Sequence, residues 1–135
     1  VMTSTGGSSP PAFESTTTNV ATVEATYNMT TASGNQDITG FGFNPTHFII
    51  VAGIDNTITS SIGMGDFTNE GCNASRDGST TMNMQLTLVA DVETGAGAAQ
   101  RANGSSSISD GIRLAWGKSG SPSGTMNIVI TGFIK

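Results

Sequence analysis

The sequence predicts an all-β fold, an antiparallel β-sandwich or jelly roll, and three observations carry the prediction. Ile (11 residues) and Val (7) far outnumber Leu (3), and β-branched side chains suit a pleated surface while losing rotamer freedom in a helix. Met82, Met84, Leu86 and Leu88 alternate with Asn83, Gln85 and Thr87, the period-two pattern of an antiparallel strand with one face in the core. Gly, Pro, Asn and Asp punctuate the chain between short apolar stretches, dividing it into seven to nine strands at the spacing of a sandwich. No long helical window competes.

Each element follows from local signals. Residues 1–18 contain Gly6-Gly7, Ser8-Ser9 and Pro10-Pro11, which disfavour a ladder and read as a linker; the folded domain is expected over 19–135. Asn19–Met29 alternates loosely and ends at Ser33-Gly34. Asp37–Phe43 is a short strand interrupted by Gly40 and Gly42, and Asn44-Pro45 turns the chain. Thr46–Ile54 is continuously apolar and predicts a strand buried on both faces. Thr59–Phe67, with Gly63 and Gly65, predicts a bent or bulged strand. Asp77-Gly78 is a hairpin signal, and the Met82–Leu88 strand follows it. Thr94–Ser107 is small, polar and glycine-rich and reads as a long loop with room for a helical turn at Ala98–Ala102. Asp110-Gly111 then turns into Ile112–Trp116, and a second turn over Gly117–Gly124 leads to the strand containing Met126, Ile128 and Ile130. Ile38–Phe41 is echoed by Ile130–Phe133, four residues that are weak support for a duplicated unit.

Composition excludes several function classes. The chain has 135 residues, room for one domain with a short tail. Only 11% of residues are charged, against ~25% in ordinary soluble domains. A net charge of −5 lacks the basic footprint that nucleic acid or an anionic membrane surface requires. The single Cys72 forms no intrachain disulfide, and one Cys with one His cannot build a Cys/His zinc site. The longest apolar run, Phe48–Ala52, is far short of the ~20 residues of a membrane-spanning helix. The start shows no basic region leading into an apolar one, so no signal peptide is read there; it suggests the C-terminal piece of a longer polypeptide. Leu, Ile, Val and Phe total 27 of 135 residues, a thin apolar supply for a domain of this size. Burial against neighbouring subunits is therefore expected.

The residues give no positive signal for catalysis. His47 is the only imidazole, at the mouth of the most apolar strand, and neither a nucleophile elbow nor a phosphate-cradling loop is present. The ten acidic residues stand mostly beside Gly or Asn, where turn chemistry alone places them. Asp66–Gly78 concentrates oxygen ligands without the spacing of a calcium loop, and Arg76 competes for the same acids, so a solvated loop is expected. Three Asn-x-Ser/Thr triplets occur, at Asn28, Asn73 and Asn103, no more than this Ser/Thr-rich composition produces by chance. Trp116 falls in register with Ile112 and Leu114, which predicts a core position over a sugar-stacking platform. The expectation is a non-enzymatic protein with no cofactor and no metal.

Two stretches carry a resemblance. Val1-Met2-Thr3-Ser4-Thr5-Gly6-Gly7-Ser8-Ser9-Pro10-Pro11-Ala12-Phe13 resembles a motif of tailed-bacteriophage tail fibres, a stretch like VLTSxGxGSxPxF/W that joins the fibre stem to a C-terminal β-rich tip. Met2 replaces the usual Leu, and the proline is doubled. Asp37–Val51 is similar to a TGxGFxPxxhhhh segment of phage virion proteins. The resemblance implies a homotrimeric tip on the virion, extracellular, that adheres through exposed loops to a bacterial surface glycan or outer-membrane protein. Its partners would be its own copies, the rest of the fibre or virion, and the receptor, without nucleic acid or membrane insertion. The alternative is a structural virion protein, a head fibre or capsid decoration protein. Recognition is expected on Asp55–Thr59, Thr68–Thr81 and Gly95–Ser107, with Arg76, Gln100, Arg101 and Asn103 as polar contacts.

Overall fold

The computed structural model describes residues 2–3, 12–13, 19–55, 57–75 and 82–134, the first two pairs by backbone alone. Every regular element among them is a strand: β1 (Met2–Thr3), β2 (Ala12–Phe13), β3 (Val20–Asn28), β4 (Gly34–Thr39), β5 (His47–Ile54), β6 (Ser60–Gly65), β7 (Glu70–Ser75), β8 (Met82–Gln85), β9 (Ala90–Gly95), β10 (Ala98–Ile108), β11 (Gly111–Ser119) and β12 (Thr125–Phe133). The fold is all-β. A six-stranded sheet, β3-β12-β5-β6-β7-β8, and a four-stranded sheet, β4-β11-β10-β9, are antiparallel throughout and enclose the core as a β-sandwich. Both halves are closed by strands distant in sequence: β12 pairs with β3 from Thr125↔Asn28 to Phe133↔Val20, and β11 pairs with β4 from Gly111↔Thr39 to Trp116↔Gly34.

Alternation explains which side chains meet inside. Phe48, Ile50 and Ala52 of β5 point inward beside Met126, Ile128 and Ile130 of β12. Opposite them stand Ile112, Leu114 and Trp116 of β11, all buried. Trp116 is 3% exposed, stacks on Tyr27 with ring centroids 4.8 Å apart, and donates its indole N–H to Gln36 Oε1 at 2.9 Å. The core reading of Trp116 is borne out. Two glycines permit close approaches. β9 lies over β5, β6 and β7, and a Cβ on Gly63 would stand 1.8 Å from the carbonyl oxygen of Val89. A Cβ on Gly132 would stand 2.8 Å from the ring of Phe41.

The structure departs from the sequence reading in five places. β1 and β2 form a narrow antiparallel pair, Met2↔Phe13 and Thr3↔Ala12, inside the stretch read as a linker; the four paired residues are neither Pro nor Gly, so their backbones can form a ladder. β5 is buried on one face only, with Ile49 43% and Val51 44% exposed. The Met82–Leu88 alternation is real but inverted, since Met82, Met84 and Leu86 face outward. Thr94–Ser107, read as a loop with room for a helical turn at Ala98–Ala102, is the end of β9, a two-residue turn and β10, which is central in its sheet between β9 and β11. Small side chains give β10 little strand propensity, yet backbone hydrogen bonding along both edges holds it there and buries Ala99 and Ala102 completely. Glu70–Ser75, read as a solvated loop, is β7. Asp77-Gly78 lies outside the described residues; the strands on either side pair antiparallel up to Ser75↔Met82. The two Ile-Thr-Gly-Phe stretches play different roles, because Gly40 ends β4 with φ 105° whereas Gly132 lies inside β12.

Candidate functional site

Each strand from β3 onward reverses the direction of the one before, so the connections alternate between two poles of the sandwich. One pole receives the start of the domain at Asn19, whose carbonyl accepts from the backbone N–H of Ile134 at 3.1 Å. The segments 40–46, 66–69, 86–89 and 109–110 share that pole. The opposite pole carries 29–33, 55–59, 96–97 and 120–124, and this loop pole is the candidate site.

The loop pole is built from backbone carbonyls held by side chains from the four-stranded sheet. Gln100 is completely buried, and its Nε2 donates to the carbonyls of Met29 at 3.0 Å and Thr31 at 2.7 Å. Lys118 Nζ donates to the Thr30 carbonyl at 2.8 Å, and the Lys118 backbone N–H donates to Ser33 Oγ at 3.0 Å. Met29 N–H donates to the Gly124 carbonyl at 3.0 Å, and Ser119 Oγ donates to the Gly97 carbonyl at 3.2 Å. The loop after β5 is tied likewise: Asn127 Nδ2 donates to Asp55 Oδ1 at 2.9 Å, and Thr57 Oγ1 donates to the Ile54 carbonyl at 2.8 Å. Burial in the Trp116 stack pushes the Tyr27 hydroxyl above its ordinary pKa and keeps it protonated beneath this pole. The exposed side chains over the scaffold are mostly small and uncharged: Ser33 and Thr57 are themselves bonded into it, and Thr31, Ser121 and Ser123 present further hydroxyls. Their hydroxyls donate and accept on a surface whose backbone is fixed.

The opposite pole spends its polar groups on turns. Asp66 accepts from the backbone N–H of Asn69 at 2.7 Å and of Thr68 at 3.0 Å. These bonds, with one from the Asn69 side chain, hold its carboxyl below the usual carboxylate range. Asp110, at φ 60°, accepts from the backbone N–H groups of Gly40 and Gly42. Glu70 ties the two sheets together by accepting from the backbone N–H of Ser105 at 3.0 Å and from its hydroxyl. Thr46 Oγ1 lies 2.9 Å from His47 Nδ1, and the imidazole stacks on Phe133. Among the described residues no group of three or more His, Cys, Asp or Glu gathers to hold a metal ion.

The residues singled out from the sequence do not form one site. Arg76 lies outside the described residues. Gln100 is not a surface contact; it points between the sheets because it is in register with Val92 and Lys118 on the inward row of β10. Arg101, on the other face of β10, is bound to Asp91 at 3.1 Å, to Glu93 at 3.6 Å and to Ser119 Oγ at 3.0 Å. Asn103 is exposed, at the register shift of β10, away from the loop pole. Of the three predicted loops, 55–59 is at the loop pole with its described residues outside any strand, 95–107 reaches that pole only by the exposed turn 96–97 and is otherwise strand, and 68–81 is largely strand or lies outside the described residues. Thr31, Ser33, Ser121 and Ser123 were missed, and the Gly-rich turn over 117–124 was the only local signal for them.

The chain matches no protein-family model, no curated protein and no solved structure.

Proposed function

We propose that this protein is the receptor-binding tip of a phage tail fibre, a jelly-roll-like homotrimer that adheres to a bacterial surface glycan or outer-membrane protein without catalysing a reaction. The observation that carries the reading is the polarity of the fold. The domain begins at one pole, next to the stretch that resembles a fibre-stem junction, and the hydroxyl-rich loops lie at the other. A fibre tip needs that arrangement, with attachment behind and recognition in front. The surface in front carries few charges, so selectivity rests on directed hydrogen bonds with little non-specific electrostatic attraction. Three copies of a weak site would bind a cell with avidity. The contact surface of this reading is 29–33, 57–59 and 120–124.

The experiment is binding of the fluorescently labelled protein to a panel of bacterial strains, compared with a variant carrying Thr31→Ala, Thr57→Ala, Ser121→Ala and Ser123→Ala. Strain-selective binding that the variant loses is the expected result. Binding to no strain, together with antibody labelling of capsids instead of tails in electron micrographs, would establish the capsid or head-fibre alternative. Shortening of host polysaccharide on incubation would overturn the non-enzymatic reading.

A further inference from the structure

The outer face of the six-stranded sheet is apolar over a continuous area. One row across the strands runs Val129, Val51, Ile62, Asn73, Met84, each directly opposite the next. The neighbouring row runs Ile49, Met64, Gly71, with Leu86 just past the end of β8. Two shallow depressions of about 330 and 470 Å³ lie along these rows and share Met64, Gly71 and Leu86. We propose that this face is the surface through which copies of this chain associate, the sheets packing side by side around an axis parallel to their strands.

Four observations select a further copy of this chain as the occupant. The first is area. The eight large apolar side chains here, Met82 included, are 40% to 76% exposed. At roughly 100 Å² apiece, about 800 Å² of apolar surface is uncovered, the ~800 Å² that each partner contributes to a stable interface and more than the ~300–600 Å² of the largest patch on a typical monomer. The second is supply. The chain has 27 Leu, Ile, Val and Phe and six Met, yet five of the former and three of the latter stand on this face; a core this thin leaves such residues outside only where something else buries them. The third is charge. Every copy carries a net charge of −5, so like copies meet at least electrostatic cost where neither presents a charge; the charges of this face stand at its margins, Glu24 opposite Val129 on the edge strand β3 and Asp66 and Glu70 at one end of the larger depression, and the apolar positions between them hold none. The fourth is direction. The strands run from pole to pole, so association about an axis parallel to them leaves every loop pole at the same end.

The threefold count rests on the fibre-tip reading; the face itself does not. Sedimentation equilibrium of the full chain at micromolar concentration tests both, with Met84→Asp and Ile62→Asp as variants and Thr26→Asp, exposed on β3 of the same sheet, as control. The expected result is three chain masses for the wild type and the control, and one chain mass for either variant with an unchanged far-ultraviolet β spectrum. Ile62→Thr, which keeps the β-branched shape, should weaken association at least tenfold without abolishing it. A monomeric wild type overturns the proposal, as does an oligomer that survives both aspartates. A dimer dissociated by the same aspartates supports the face and removes the threefold tip. Dissociation by the aspartates without binding to any bacterial strain supports the face and removes the receptor reading alone.

Discussion

β5 presents two apolar faces that the sequence writes in the same alphabet. Phe48, Ile50 and Ala52 lie between the sheets and are almost wholly inaccessible, while Ile49 and Val51, interleaved with them, look outward with more than two-fifths of their surface exposed. The inner face meets β9 and β12 neighbours at van der Waals distance, so close that Gly63 has no room for a methyl group. On the outer face Val51 stands between Val129 and Ile62, and Ile49 between Thr131 and Met64, all in the same sheet. Apolar patterning therefore does not say by itself which of two apolar faces is buried within the chain.

The comparison can be broken at several depths. Ile50→Ala opens a cavity on the inner face and should cost about 2–5 kcal/mol, read as a lower urea midpoint. Gln100→Ala removes the clamp under the loop pole, abandons the buried Met29 carbonyl and the Thr31 carbonyl beside it, and should cost about 1–3 kcal/mol; faster amide exchange over 29–33 would mark the loss as local to that pole. Ile62→Thr, placed in the Met84→Asp background so that association does not contribute, should change subunit stability by less than about 0.5 kcal/mol. A loss there as large as that of Ile50→Ala would mean that the outer face is packed within the subunit. The smallest effect belongs to acid. The Asp66 carboxyl is held down by its bonds to the Asn69 and Thr68 amides, and Asp37 is held down by its paired bonds from Arg113. Depressed values mean that both contributions are present at neutral pH and disappear as pH falls below the ordinary carboxylate range. In an NMR titration the Thr68 and Asn69 amides should shift together in that window, and Asp66→Ala should abolish the shift.

Much of the fold was legible because two-period alternation and turn chemistry are local. Val20–Asn28, Ile112–Trp116 within β11 and Met126–Ile130 within β12 announce themselves by alternation, and Asp110-Gly111 announces its turn; β11 runs on through Gly117–Ser119, which reads locally as turn. β7, β9 and β10 were not legible. Glu70–Ser75 and Ala98–Ile108 are rich in Gly, Ala, Ser and Asn, and they are strands because neighbours on both sides supply hydrogen bonds that no property of their own side chains predicts. The candidate site was legible at 55–59, expected to recognise a partner, and at the Gly-rich turn over 117–124, expected only to reverse the chain. Gln100 illustrates the difficulty: a polar residue in a polar, small-residue stretch reads as surface, and only the register of β10 against β9 and β11 turns it inward.

The sequence by itself determined the class, all-β with antiparallel sheets, and the thin apolar supply from which the proposed shared face is argued. Both are properties of composition and of nearest neighbours along the chain. The tertiary structure alone decided which of two apolar faces became the core, which polar residue became the clamp, and that the hydroxyl-rich connections 29–33, 57–59 and 120–124 share the pole away from the start of the domain. Those outcomes depend on strand order and register, which are set by contacts between residues far apart in the chain and leave no mark in any local window.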